Sequence, residues 1–206
     1  MAAKGMKINT AVFVMGNTQV DKCPAPDKPE FAFIGRSNVG KSSLINMLMA
    51  NNKLAKVSST PGKTKEINHF LINDNWFLVD LPGYGFAKMG ADARVRLEKM
   101  ISAYVGTREN LANLFVLIDS RLEPQQIDLE FISWLADQNV AFSLVFTKCD
   151  KQSKSSAKAS VMKFMNRLRS DWAELPPHFL TSSETKDGKE TLLNYIGDII
   201  KSYKSA

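Results

Sequence analysis

The stretch Phe31-Ala-Phe-Ile-Gly-Arg-Ser-Asn-Val-Gly-Lys-Ser42 joins a short apolar run to an amphipathic segment. Phe31 to Ile34 reads as a buried strand ending at Gly35. A helix opens near Lys41 and carries Leu44, Ile45, Leu48 and Met49 on one side. Between them, Gly35 to Ser42 fits G-x-x-x-x-G-K-[ST] in the strand–helix setting that gives the pattern its meaning. The spacing has a chemical reason. Gly35 and Gly40 permit a tight turn, filled by Arg36, Ser37, Asn38 and Val39, whose backbone N–H groups surround phosphates. The helix start adds its positive dipole end. Lys41 is a point charge for β- and γ-phosphates, the Ser42 hydroxyl suits Mg²⁺, and Ser43 supports a phosphate from the following turn. A glycine-rich turn that binds nothing is the competing account, and it leaves the register of strand, motif and helix unexplained. The loop alone does not choose between ATP and GTP, or between kinase and hydrolase.

The rest of the chain sets bounds. Its 206 residues suffice for one α/β domain with a sizeable core. A 44% hydrophobic and 23% charged content is that of an ordinary globular protein. No apolar run reaches the roughly 18 residues of a membrane span. The run AVFVM near the N-terminus is too short for a signal h-region, and no small-residue cleavage site follows it. The two cysteines, Cys23 and Cys149, offer neither a disulfide framework nor metal-ligand spacing, so a reduced cytoplasmic protein is expected. A net charge of +6 favours an anionic partner, with RNA the obvious candidate. A basic surface that binds no nucleic acid accounts for the charge equally well.

Apolar runs alternate with amphipathic segments, which predicts a mostly parallel sheet with helices on both faces. Ile67 to Ile72 and Trp76 to Val79 read as strands joined by Asn73-Asp74-Asn75, an antiparallel hairpin. The fold class expected is therefore a three-layer α/β nucleotide-binding domain with one antiparallel hairpin strand. The polar run Asn51 to Lys65, with Pro61-Gly62 inside it, reads as a long functional loop. Further on, 91–105 is a helix and Leu114-Phe-Val-Leu-Ile118 a buried strand. Pro124 is expected in the first turn of a helix whose Ile127, Phe131, Trp134 and Leu135 face inward. A strand at 141–146 leads to a helix with Val161, Phe164, Met165, Leu168 and Trp172 on one face and Lys163 and Arg167 on a solvated one. His178-Phe-Leu180 is a last strand, and a last helix starts after Gly188.

Three further motifs follow in order. Thr64, in Pro61-Gly62-Lys63-Thr64 before Lys65 and Glu66, is a loop Thr of the kind that ligates Mg²⁺ and reads a γ-phosphate. Asp80-Leu81-Pro82-Gly83 follows a strand; Asp80 suits a metal-bound water and Gly83 offers a backbone N–H to the γ-phosphate. Thr147-Lys148-Cys149-Asp150 follows the 141–146 strand. The Asp150 carboxylate can accept from guanine N1–H and the N2 amino group, whereas adenine has no matching donor pair and would leave the carboxylate unpaired. The Lys148 stem can cover the base, and Thr147 can tie this loop to the phosphate loop. Thr181-Ser182-Ser183 can bring backbone N–H groups to guanine O6.

With all five elements present in that order, the sequence resembles the EngB family of small GTPases, related to Era, EngA and TrmE. GRSNVGKSSLIN, SSTPGKT, LVDLPGYGFAK, TKCD and TSSET carry the resemblance, which covers nearly the whole chain. It implies a cytoplasmic bacterial GTPase that binds Mg²⁺, assists assembly of the large ribosomal subunit, and is needed for normal cell division and septation. The partners implied are GTP and GDP, and the rRNA and ribosomal proteins of a large-subunit precursor; no membrane and no second copy is expected. Direct action in septation without ribosome binding is the alternative. The resemblance places 1–29 as an N-terminal extension packing on a single G domain, 30–206. It implies that Gly35 to Ser43, Gly62 to Glu66, Asp80 to Gly83, Thr147 to Asp150 and Thr181 to Ser183 bind GTP. Ser42 and Thr64 would hold Mg²⁺, Asp80 through water, and Lys41, Thr64 and Gly83 would act in catalysis.

Tyr84 stands where Ras-like enzymes carry the Gln that orients the attacking water. A phenol cannot both donate and accept as an amide does, so slow turnover is expected. Asn38 resembles a phosphate-loop Asn that binds K⁺ in related GTPases, which makes K⁺ a candidate second cofactor; an Asn that only shapes the loop is the other account. Arg36 is expected at the surface, His69 and His178 as structural or surface groups, and Cys149 as no nucleophile.

Overall fold

A computed structural model describes residues 5–50, 66–85 and 90–203. The phosphate-loop strand comes first in importance. Glu30–Gly35 (β2) is wholly buried and feeds directly into helix Lys41–Met49 (α1). It follows an edge strand, Ala11–Asn17 (β1), and precedes Ile67–Ile72 (β3) and Trp76–Asp80 (β4). Then come Ala91–Thr107 (α2), Leu111–Asp119 (β5), Gln126–Asp137 (α3), Phe142–Thr147 (β6), Lys154–Arg169 (α4), His178–Leu180 (β7) and Lys189–Tyr203 (α5).

The sheet order is β1-β3-β4-β2-β5-β6-β7. Among the described strands only β3 runs against the rest, pairing antiparallel with both β1 and β4. In the three-residue β3–β4 link, 73–75, Asn73 and Asp74 both take positive φ, which Asn and Asp tolerate. Asn73 does more than turn the chain. Its Oδ1 accepts from the backbone N–H of Asn9 and Thr10, and its Nδ2 donates to the Lys7 carbonyl, so the hairpin tip steers the N-terminal segment into β1. No strand is predicted at 11–17 from sequence. It forms because β3 offers an open edge, and it leaves Val12, Phe13 and Val14 exposed.

Side-chain alternation along β2 builds the three layers. Phe31 and Phe33 pack with Leu44, Ile45 and Leu48 of α1 and Leu192, Leu193 and Ile196 of α5. Ala32 and Ile34 point the other way, to a core with Leu97 and Tyr104 of α2, Ile132 and Leu135 of α3, and Val161, Phe164 and Leu168 of α4. Trp172 lies beyond α4 and packs edge-on against Phe142. Lys163 and Arg167 are exposed and paired with Glu123 and Asp171.

The α3 expectation needs correction. Pro124 precedes the cap residue Gln125, outside the first turn. The face turned to the sheet is Asp128, Ile132 and Leu135, while Ile127 is 37% exposed and Phe131 and Trp134 are half-buried. A buried Asp inside the stripe moved the apparent apolar face by about one residue.

At the end of β2 away from the phosphate loop, Glu30 is fully buried. Tyr104 Oη donates to it at 2.5 Å, Arg108 forms an ion pair with it, and His69 Nε2 lies 3.2 Å away. His69, expected as structural or surface, is thus a core residue joining β3 to β2. His178 is exposed.

Candidate functional site

The chain reverses its direction of sheet growth at β2: β4 lies on one side and β5 on the other. Such a switch point opens a crevice outside the carboxyl ends of the strands, where open α/β sheets bind ligands. Gly35, Asp80, Asp119, Thr147 and Leu180 end β2, β4, β5, β6 and β7 along this one edge. Sequence-distant motifs therefore meet there.

Gly40 caps α1 at φ 103, a left-handed geometry that a side chain would strain. Among the described residues no side chain caps this helix, so its first N–H groups face the crevice with the dipole behind them. Lys41 forms an ion pair with Asp80, whose carboxylate is buried at the end of β4. Ser42 and Ser43 lie half-buried in the first turn. Ser37 Oγ, in the wall of the loop, is buried with no hydrogen-bond partner among the described residues. Leu81, Pro82 and Gly83 are buried, and the Leu81 N–H donates to the Phe33 carbonyl, seating this segment on β2. Gly62, Lys63, Thr64 and Lys65 lie outside the described residues; Glu66 is exposed just before β3.

The 147–150 loop docks on the phosphate loop. Thr147 Oγ1 lies 2.6 Å from the Val39 carbonyl and 3.2 Å from that of Ile118. The tie expected of Thr147 is present. Lys148, in left-handed conformation, donates from Nζ to the Asn38 carbonyl at 2.5 Å and to Asp119 Oδ2 at 2.9 Å. Cys149 donates its N–H to the Thr181 carbonyl, and burial pushes its thiol up, away from thiolate chemistry. A hydrogen bond from Ser182, helped by Lys151 at 3.1 Å, holds the Asp150 carboxyl below its usual range. Thr181 and Ser182 are buried and Ser183 partly so. Asn38 is exposed at φ 62, with its carbonyl taken by Lys148.

Two acidic residues at this edge are not predicted from sequence. Asp119 is buried, which raises its carboxyl, but hydrogen bonds from Arg121 and Lys148 outweigh that and hold it at about 2. It fixes Lys148. An acid closing the apolar run LFVLID, at the carboxyl end of a parallel strand, was the signal available. The second is Asp128 on α3. Arg36 Nε lies 3.1 Å from its Oδ1, so Arg36 reaches across to α3 and is only 24% exposed. Tyr84 Oη donates to the same Asp128 Oδ1 at 2.8 Å, and the Tyr84 ring stacks on Phe131. No sequence spacing links these residues.

A strand–loop–helix phosphate cradle with a TKxD loop locked onto it, in this sheet order, is the construction of a P-loop GTPase. The comparisons with known proteins agree. The family model described as 50S ribosome-binding GTPase matches residues 30–148. A probable GTP-binding protein EngB of Phocaeicola vulgatus is 56% identical over 97% of this chain and 100% of its own. One of Porphyromonas gingivalis is 57% identical over 94% and 96%. The chain belongs to the EngB family of GTPases. Among solved structures, a probable GTP-binding protein EngB superposes with TM-score 0.65 at 23% identity, covering 84% of this chain and 99% of that one. Era in complex with MgGDPNP and 16S rRNA nucleotides gives TM-score 0.64 at 21% identity over 84% of this chain and 56% of its own. Both superpositions are evidence of shared fold.

Proposed function

We propose that this protein is a GTP-controlled factor in assembly of the large ribosomal subunit, with slow Mg²⁺-dependent GTP hydrolysis. It is read as a cytoplasmic monomer whose need in cell division and septation follows from that assembly role. Residues 30–206 form the G domain in this reading, with 1–29 as its extension. The observation that carries the nucleotide reading is the direct docking of Thr147 and Lys148 on the phosphate loop. It joins a guanine-selective carboxylate to a phosphate cradle in one rigid unit. The ribosomal part is supported by the family description.

Asp150 accepts from guanine N1–H and N2, the Lys148 stem covers the base, and Thr181 to Ser183 face O6. Lys41 and the α1 N–H groups bind the β- and γ-phosphates, and Gly83 N–H reads the γ-phosphate. Incoming phosphate competes with Asp80 for Lys41. The oxygen donors of Ser42, Thr64 and Asp80 suit a hard cation, and the buried Ser37 hydroxyl, without a partner among the described residues, marks a polar wall awaiting a ligand. Mg²⁺ bound there would neutralise phosphate charge. Water attacks the γ-phosphorus in line, and the bond to the bridging oxygen of GDP breaks.

Tyr84 is occupied by Asp128 and Phe131, which leaves it unavailable to orient that water. Single-turnover hydrolysis by the isolated protein is expected far below the roughly 10 s⁻¹ of GAP-stimulated enzymes. Asn38 is proposed as a K⁺ ligand, so replacing Na⁺ by K⁺ should raise that rate; equal rates would remove K⁺ from the scheme. The function itself is tested by co-sedimentation with large ribosomal subunits. Pelleting with a non-hydrolysable GTP analogue but not with GDP is expected. Absence of any nucleotide-dependent pelleting would leave direct action in septation as the better reading, and GTP-versus-ATP competition would separate either from an ATPase.

A further inference from the structure

Asp128 is 1% exposed, and α3 carries it into the core between two parts of the site. A buried carboxylate is costly unless it is paired, so its partners reveal its use. They are Arg36 of the phosphate loop and Tyr84 of the segment that follows Gly83. These two residues are also joined through the backbone by a parallel bridge. The Tyr84 ring stacks on Phe131 one helical turn along, with centroids 4.2 Å apart and planes 15° from parallel. Gly85 then turns at φ 72, and a Cβ there would meet Ile127 Cδ1 at 2.6 Å. The chain after Gly83 is thus pressed onto α3 along Ile127, Asp128 and Phe131. Burial pushes the Asp128 carboxyl up, and its two partners oppose that. Its Oδ2 has no partner among the described residues.

We propose that Asp128 is a positioning residue that fixes the Gly83–Tyr84 backbone beside the phosphate loop by holding Tyr84 and Arg36 on one carboxylate oxygen. The latch presets the Gly83 N–H for a γ-phosphate. It contributes to binding of the triphosphate and not the diphosphate, since GDP presents nothing for Gly83 to read. Tyr84 thereby has a role as the strap of the γ-phosphate sensor. The inference rests on the GTP reading above.

The test uses the full chain as Tyr84→Phe, Asp128→Asn and the double variant, titrated with fluorescent GDP and a fluorescent non-hydrolysable GTP analogue. Tyr84→Phe keeps the ring stack and loses only the hydroxyl. Each single variant should bind the GTP analogue about tenfold more weakly, the scale of one hydrogen bond to a charged group, with GDP affinity changed less than twofold. The double variant should be within about threefold of either single, because both remove one unit. Unchanged affinities, equal losses for both nucleotides, or additive losses in the double variant would each overturn the proposal. Where Asp128→Asn does not fold, the triphosphate-to-diphosphate ratio of Tyr84→Phe decides alone. If the wild-type protein binds ATP and GTP alike, the guanine reading fails, while the triphosphate-to-diphosphate ratio still reports on the latch.

Discussion

An Asp150→Asn protein is expected to bind GTP about 10²- to 10⁴-fold more weakly than wild type and to gain affinity for xanthosine triphosphate. Two hydrogen bonds from guanine to a charged acceptor are each worth about 1.5–3 kcal/mol. Asn keeps an acceptor for N1–H but turns an NH₂ group towards the guanine N2 amino group, setting donor against donor. Xanthine carries a carbonyl at that position and restores the pair. The effect is expected to be sharp because Asp150 is held ready: Ser182 hydrogen-bonds it, and Lys148 beside it is fixed by Asp119 and the Asn38 carbonyl. Competition against a fluorescent guanine nucleotide measures both arms. Retention of wild-type GTP affinity by this variant would show that the base lies elsewhere.

Glu30→Ala is expected to lose about 3–5 kcal/mol of stability, without any direct contact to the nucleotide edge. The loss arises because His69, Tyr104 and Arg108 converge on one fully buried carboxylate, and removing it leaves Arg108 and two polar groups uncompensated. Burial raises the Glu30 carboxyl, but the hydrogen bonds from His69, Arg108 and Tyr104 outweigh it and bring it to about 2 from an ordinary 4.5. The sign follows. The unfolded chain binds this proton more readily than the folded one. Its contribution is complete above about pH 4.5 and is lost as pH falls towards 2. A depression of that size corresponds to ~3 kcal/mol. Urea midpoints between pH 7 and pH 3 should fall for wild type, whereas Glu30→Ala lacks this component. A variant as stable as wild type at pH 7 would mean that the network contributes no net stability.

The difference between legible and illegible parts of the site is one of chain separation. Gly35 to Ser42 and Asp80 to Gly83 are local: each motif's chemistry follows from adjacent residues at a strand end, and each was found at such an end. The Thr147 tie to Val39 spans 108 residues, yet it was foreseen because the order of motifs already placed both loops on one edge. Asp119 carries a positional signal, an acid at the end of an apolar strand run. Arg36, Tyr84 and Asp128 had none, since no periodicity relates a phosphate loop to a helix six elements later.

Residue order alone dictates the alternation of buried strands and amphipathic helices, the hairpin turning at 73–75, and the class of ligand chemistry. These depend on backbone sterics, side-chain period and residue type, all of which act within about ten residues. Tertiary structure decided the rest. It turned 11–17 into an edge strand by giving it β3 as a partner. It rotated α3 so that a charged residue, not Ile127, faces the sheet. A buried Asp is tolerable only where cations and donors from elsewhere surround it, and Arg36 and Tyr84 reach Asp128 only after the sheet has assembled.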